Sequence, residues 1–240
     1  MLNNSYSLIK NLKKILNSIF KSFGLKPFFK KQSYLLPLKS IYSQYGQDYF
    51  ISDILYRKKP GYYVDVGARC GKIISNTFHL EKQKWKGICI EPHPELYEKL
   101  KKNRNCLVAN YAISDIITND LEFVKFLEEP FGHSGLLTTF RNPQRLDKIH
   151  HEIISVKTID LTKLLDELNA PKFIEYLDID VEGHELLCLN GIDYKKYKFG
   201  VIGVETTPKM NNYNDIKSFL SINNYKPFAI IGSDTFFIQK

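Results

Sequence analysis

Residues 61–91, GYYVDVGARCGKIISNTFHLEKQKWKGICIE, constrain the fold more than any other stretch of the chain. Tyr62–Val66 is rich in aromatic and β-branched residues and stops at Gly67, the pattern of a short buried strand. Gly67 and Gly71 bracket a turn, and residues 73–80 then carry apolar side chains at helical spacing. A second apolar run, residues 87–90, closes on Glu91. Strand, glycine turn, helix, strand and acid together make a βαβ unit of the nucleotide-binding kind.

The same alternation continues downstream. Strands are predicted over 106–113, 153–156, 173–179 and 199–204, with one over 121–126 that pairs at a sheet edge. Helices are predicted over 94–103, 160–168, 186–189 and 212–222, the first opened by Pro94. Residues 225–231 and 235–238 read as a hairpin across Gly232-Ser233-Asp234. The predicted fold class is α/β: a doubly wound, mostly parallel Rossmann-like sheet with an antiparallel C-terminal hairpin. Ahead of the first strand, residues 49–56 read as a short helix that Asp48 or Ser43 can cap, or as part of a segment closing over a ligand. Residues 128–152 hold Pro130, Gly132, Gly135 and Pro143 without periodicity, as a lid or an insert does.

Net charge separates the chain into two parts. The formal charge of +8 looks like a nucleic-acid signature until it is mapped. Residues 1–40 hold eight lysines and no acid, which leaves 26 basic against 26 acidic residues in the remainder. A basic arm over 1–38 and a balanced domain over 39–240 follow, and no nucleic-acid partner is expected of the domain. Within the arm, residues 5–23 place Leu8, Leu12, Ile15, Ile19 and Phe23 on one helical face. Such a helix lies on an anionic membrane surface, docks on a partner, or packs on its own domain. Cys70, Cys89, Cys106 and Cys188 include no C-x-x-C pair, which favours free thiols in a reducing compartment. No apolar run reaches the roughly 20 residues of a membrane span. The expected location is the cytoplasm, with peripheral contact at the inner membrane face through residues 5–23.

Ligands of such sheets bind at the carboxyl ends of the strands. The polar residues there are Asp65, Glu91, Ser114-Asp115, Asp178, Asp180, Glu182 and Glu205. Acids in that number disfavour a polyphosphate, which requires helix N-termini and cations. The turn Gly67-Ala68-Arg69-Cys70-Gly71 also lacks the middle glycine of the dinucleotide motif G-x-G-x-x-G. Asp65 suits the ammonium of an amino acid, Glu91 both hydroxyls of a ribose, and Asp115 an adenine amino group. The combination fits S-adenosylmethionine better than a nicotinamide dinucleotide.

The motifs SQYGQD (residues 43–48), DVGARCG (65–71) with SNT (75–77), IEPHP (90–94), AISD (112–115), VKTIDLTKLL (156–165) and DIDVEGHE (178–185) resemble the FkbM-type methyltransferases. The resemblance spans about residues 43–205. It implies a class I S-adenosylmethionine-dependent fold and O-methylation of a hydroxyl on a sugar or natural product. By position, Asp65 and Gly67 would hold the methionine part, Glu91 the ribose and Asp115 the adenine. Gln47, Ala68, Gly71, Asn76, Ser114 and Asp178 complete the expected cofactor-binding set. Cys70 stands where Asp is common in the family. Asp178 and His184 stand where Lys or Ser and Ala or Phe are expected.

An activated methyl donor leaves the enzyme to position the acceptor oxygen and, for a poor nucleophile, to supply a base. The base candidates are Asp180, Glu182, His184 and His133 on the predicted lid. A divalent metal on Asp178, Asp180 and Glu205 is an alternative that is not favoured. The expected partner is a small-molecule or saccharide acceptor. The competing readings are a membrane-tethered adaptor that keeps the fold without turnover, and a nicotinamide oxidoreductase that the missing glycine disfavours.

Overall fold

A computed structural model of the chain describes residues 42–56, 59–127, 134–141 and 143–240. The predicted 5–23 helix and His133 lie outside the described residues.

The first described helix, α1 (Gln47–Tyr49), continues as a π-helical turn over Phe50–Leu55. The N-cap position is Gly46, but both candidates accept from first-turn N–H groups, Asp48 from Tyr49 (2.8 Å) and Ser43 Oγ from Asp48 (3.5 Å). Asp48 also accepts from the Tyr42 N–H (2.9 Å) and the Ser43 hydroxyl (2.5 Å), and Ser43 Oγ accepts from the Gly46 N–H (3.0 Å). These bonds close the 42–48 loop on itself.

Strand β1 (Tyr62–Val66) is as predicted, but the next helix, α2 (Phe78–Lys82), starts later than its periodicity suggested. Ile73 and Ile74 are 55% and 48% exposed, and Ile74 has φ 54, a left-handed conformation costly for a β-branched residue. The turn is held from outside: the Arg104 guanidinium donates to the Gly71 carbonyl (3.0 Å), and Ser75 Oγ accepts from the Phe78 N–H (3.1 Å). Then follow β2 (Lys86–Ile90) and α3 (Pro94–Asn103).

The predicted strand over 106–113 is two strands, β3 (Leu107–Ala109) and β4 (Ala112–Ile113), in different sheets. The break falls at Asn110, whose amide donates to the carbonyls of Glu91 (2.8 Å) and Pro92 (3.1 Å). Strand β5 (Leu121–Phe126) does not join the main sheet edge. It pairs antiparallel with β6 (Gly135–Leu136) and β7 (His151–Val156) in a separate three-stranded sheet. The connection read as a lid thus contributes strands and two 3-10 turns, Leu137–Thr139 and Pro143–Arg145.

Strand β8 (Thr158–Ile159) pairs with β4, and α4 (Leu161–Glu167) is capped by Asp160, which accepts from the Lys163 N–H (2.8 Å). The chain ends with β9 (Phe173–Ile179), α5 (Glu185–Asn190), β10 (Lys198–Glu205), α6 (Tyr213–Ile222), β11 (Tyr225–Ile231) and β12 (Asp234–Gln239).

The main sheet has seven strands in the order β11-β12-β10-β9-β1-β2-β3. The run from β10 to β3 is parallel, and β12 lies antiparallel between β10 and β11. Val64, Ile88, Leu177 and Ile202 are fully buried on neighbouring strands, against Leu161 and Leu165 of α4 and Ile216 and Leu220 of α6. Each such side chain contributes about 1.5–3 kcal/mol. This core leaves the polar strand ends free for chemistry. Strand order reverses between β1, which leads on to β2, and its other neighbour β9. The crevice of the fold opens there.

Candidate active site

A cavity of about 310 Å³ lies at this reversal. Its wall includes Asp65, Gly67, Ala68, Asn76 and Glu91 on one side and Asp178, Asp180, Glu182, His184 and Glu205 on the other.

Register places Asp65 of β1 beside Asp178 of β9, so two carboxyls share one sheet face at the crevice. Asp65 accepts from the Thr77 hydroxyl (2.5 Å), and Asp178 from the Tyr176 hydroxyl (2.6 Å) and the Asn76 amide (3.2 Å). Burial pushes both above the usual carboxylate range. Arg104 opposes the shift at Asp65, whereas the Asp65 charge adds to it at Asp178. A cation between them would relieve both strains. Glu91 ends β2 with one oxygen on the Arg69 N–H (2.7 Å) and the other on the His93 N–H (2.8 Å). Burial raises it to about 7, against the pull of those two N–H groups. Each oxygen retains a second lone pair, so the carboxylate can accept from a vicinal diol. Gly67 has φ +90, and a Cβ there would sit 1.9 Å from the Asp180 carbonyl oxygen. Only glycine lets this turn press against the end of β9.

Behind this wall stands Arg104, which sequence reasoning missed. Its guanidinium donates to Glu81 (2.7 Å), the Gly71 carbonyl (3.0 Å), the Tyr63 hydroxyl (2.7 Å) and the Thr77 hydroxyl (3.1 Å). In the sequence it sits in KKNRN at the end of a charged helix, and nothing there separates it from surface charges.

On the opposite side, carboxylate oxygens of Asp180, Glu182 and Glu205 lie within 4.8 Å of one another. Asp178, expected among possible metal ligands, instead faces Tyr176 and Asn76. Asp180 is exposed at the cavity. Loss of water around its carboxyl, and then the charges of Glu205 and Glu182, push it well above the usual range. Arg141 is a second residue that the sequence did not reveal. It bonds Glu205, reaches Glu185 at 2.5 Å, and donates its own N–H to the Glu182 carbonyl (3.0 Å). Gly183, at φ +120, admits the Thr139 carbonyl where a Cβ would lie 2.2 Å away. Segment 137–141 is thereby docked on the Asp180–Gly183 turn.

His184 lines the cavity, but both ring nitrogens are engaged, Nδ1 with the Thr139 hydroxyl (2.8 Å) and Nε2 with the Ser114 hydroxyl (3.1 Å). Burial lowers it to about 4. It is a neutral strut joining segment 137–139 to β4 rather than a free base. Four of the expected cofactor residues stand off the cavity wall. Gln47 bonds Asp234 (2.9 Å), Gly71 packs on Leu100 and Arg104, and Ser114 is taken by His184. Asp115 is exposed and bonds Asn190 (3.2 Å), because the break at Asn110 carries β4 away from the main sheet. Where Asp115 was expected, the wall is apolar: Tyr111, Ala112, Ile113, Phe123 and Leu136.

The parallel order, the inserted antiparallel strand and an acidic crevice at the β1/β9 reversal define a class I S-adenosylmethionine-dependent methyltransferase. The family profile described as the Methyltransferase FkbM domain matches residues 65–227, and the chain belongs to that family. No curated protein sequence matches the chain. Among solved structures, a TehB-like SAM-dependent methyltransferase from Corynebacterium glutamicum is similar at 12% identity, covering 82% of this chain and 89% of its own, with TM-score 0.44. A precorrin-6y C5,15-methyltransferase from Geobacter metallireducens is 10% identical over 80% of this chain and 85% of its own, with TM-score 0.41. The 16S rRNA N2 G1207 methyltransferase of T. thermophilus, in complex with AdoMet and guanosine, is 9% identical over 80% of this chain and 42% of its own, with TM-score 0.40.

The wall fits the cofactor. Asp65 and Asp178 together offer a seat for an ammonium, Glu91 offers acceptors for a diol, and the apolar surface around Ile113 suits a flat base. Among the described residues no helix is long and apolar enough to cross a membrane.

Proposed function

We propose that this methyltransferase acts on a hydroxyl of a sugar or related natural product, with Asp180 as the general base. The observation that carries the reading is the carboxyl cluster of Asp180, Glu182 and Glu205 facing the cavity across from Asp65 and Glu91. Carboxylates accept from hydroxyls and repel phosphates, so the cluster favours a neutral polyol over a phosphorylated acceptor surface.

Bound S-adenosylmethionine supplies a methyl group already activated on a sulfonium sulfur. Asp65 and Asp178 would orient its amino group, and Glu91 its ribose. Asp180 would take the proton from the acceptor hydroxyl, for which a positioned base contributes about 10²–10⁴-fold. Glu182 and Glu205 raise the proton affinity of Asp180, which strengthens it as a base once ionised. Arg141 holds Glu205 and the Glu182 backbone in place. The arm over 1–38 would bring the domain over 39–240 to an anionic surface such as the inner face of a membrane.

The test is methyl transfer to a panel of sugars and sugar nucleotides, read by mass spectrometry as a product one methylene heavier. Asp180→Asn should slow formation of that product by about 10²–10⁴-fold while leaving S-adenosylmethionine binding intact. A chelator should leave the rate unchanged; if it removed activity that magnesium restored, the cluster would be a metal site instead. A folded protein that binds S-adenosylmethionine and methylates only nitrogen acceptors would sink the proposal.

A further inference from the structure

Two of the four cysteines meet. Cys89 lies on β2 and is fully buried, while Cys106 immediately precedes the edge strand β3 and is half-buried. Their sulfur atoms are 3.5 Å apart. We propose that Cys89 and Cys106 are an oxidation-sensitive dithiol that hydrogen peroxide closes to a disulfide, loosening the Arg104 clamp on the cofactor turn.

The geometry supports closure. A disulfide needs its sulfurs about 2.05 Å apart, so the pair must approach by about 1.5 Å. Cys106 can move: the β2–β3 register begins only at Leu107, and β3 has no neighbour on its outer side among the described residues. The two sulfurs are also unequal. The hydrogen bond shared with Cys89, and then Arg104 and the Tyr63 hydroxyl, favour the Cys106 thiolate, which holds it below an ordinary thiol despite partial burial. Burial first, and then the bond to Cys106, push Cys89 well up. Cys106 is therefore the attacking sulfur and Cys89 the resolving one. Cys188, by contrast, is buried against the Ile113 carbonyl (3.0 Å) and has no such partner thiol.

The chemistry balances. The Cys106 thiolate attacks one peroxide oxygen, the O–O bond breaks, and hydroxide leaves with a sulfenic acid formed at Cys106. The Cys89 sulfur then attacks the Cys106 sulfur, the S–O bond breaks, and water leaves carrying the thiol proton. Two thiols and one peroxide give one disulfide and two waters, with two electrons passing from sulfur to oxygen.

The consequence reaches the cofactor wall through Arg104, two residues before Cys106 in the chain. Arg104 grips the turn at the Gly71 carbonyl and at Thr77, and Thr77 in turn bonds Asp65. Drawing residue 106 toward β2 displaces this clamp. The inference concerns cofactor binding alone and stands whatever the acceptor is.

The full chain, titrated with hydrogen peroxide and mapped by non-reducing peptide mass spectrometry, should yield a species two hydrogens lighter, with the peptides of Cys89 and Cys106 linked. Calorimetry of that species should show S-adenosylmethionine affinity about tenfold lower, the scale of one displaced charge-assisted hydrogen bond, and restored by dithiothreitol. Cys106→Ser should retain affinity in peroxide. Cys89→Ala should leave a sulfenic acid on Cys106 that dimedone traps. A Cys106 that gains oxygens without linking, a link that leaves affinity unchanged, or a dimedone adduct on Cys70 instead would each overturn the proposal.

Discussion

Replacing Glu91 with glutamine separates the cost of burying this carboxyl from its use. The group is 4% exposed, and burial raises it from 4.5 to about 7. A folded-state pKa above the unfolded one means that the native protein holds this proton more tightly. Its stabilising contribution is complete below the unfolded pKa and is lost as pH rises through the folded one. The loss is on the order of 3 kcal/mol between pH 5 and pH 8. Glutamine has no such titration, but its amide nitrogen turns toward the Arg69 or the His93 N–H and leaves a buried donor unpaired, costing about 1–3 kcal/mol at every pH. The variant should therefore be the less stable protein at pH 5 and draw level with, or pass, the wild type at pH 8. Cofactor affinity should run the other way. Wild-type affinity should rise from pH 6 to pH 8 as the carboxylate forms, while Glu91→Gln stays flat and about 10- to 100-fold weaker at pH 8. Urea unfolding at the two pH values gives the first comparison and titration calorimetry the second. Other buried acids titrate as well, so the quantity that matters is the difference between the two proteins. Parallel pH profiles for variant and wild type would refute the assignment of a buried, titrating Glu91 at the ribose.

Three further outcomes are expected. Gly67→Ala must fit a Cβ 1.9 Å from the Asp180 carbonyl at φ +90, so it should lose more than the ~1–3 kcal/mol of backbone strain alone, with a matching fall in melting temperature; wild-type stability would contradict the close approach of the two strand ends. Arg104→Lys keeps the charge, but one ammonium cannot reach Glu81, Gly71, Tyr63 and Thr77 together; urea titration should show a loss of about 3 kcal/mol, as for other broken buried pairs, and an unchanged midpoint would remove its clamping role. Asp180→Asn should lower kcat by about 10²–10⁴ with cofactor Kd unchanged by calorimetry, and an equal loss in Kd would end the division between donor and acceptor sides.

What could be read from the chain was local. Tyr62–Val66 is a run of aromatic and β-branched residues that meets a glycine, and Glu91 closes an apolar run; such patterns act through neighbouring residues and survive in one dimension. The terminal hairpin belongs to the same class, since its predicted turn needs the positive φ that Gly232 adopts. Periodicity failed where distant groups override it. Residues 73–77 have helical spacing but are held as a turn by Arg104, and the 106–113 strand breaks because Asn110 binds the carbonyls after β2. Only the tertiary structure decided which charges are buried. Arg104 and Arg141 look in sequence like any solvated cation, and Asp115 looks like any acid at a strand end. Sheet register alone sets Asp65 beside Asp178, and the docking of segment 137–141 alone brings Arg141 to Glu205 and Glu185. A side chain's chemistry is written in the sequence, but its partners and its distance from water are properties of packing.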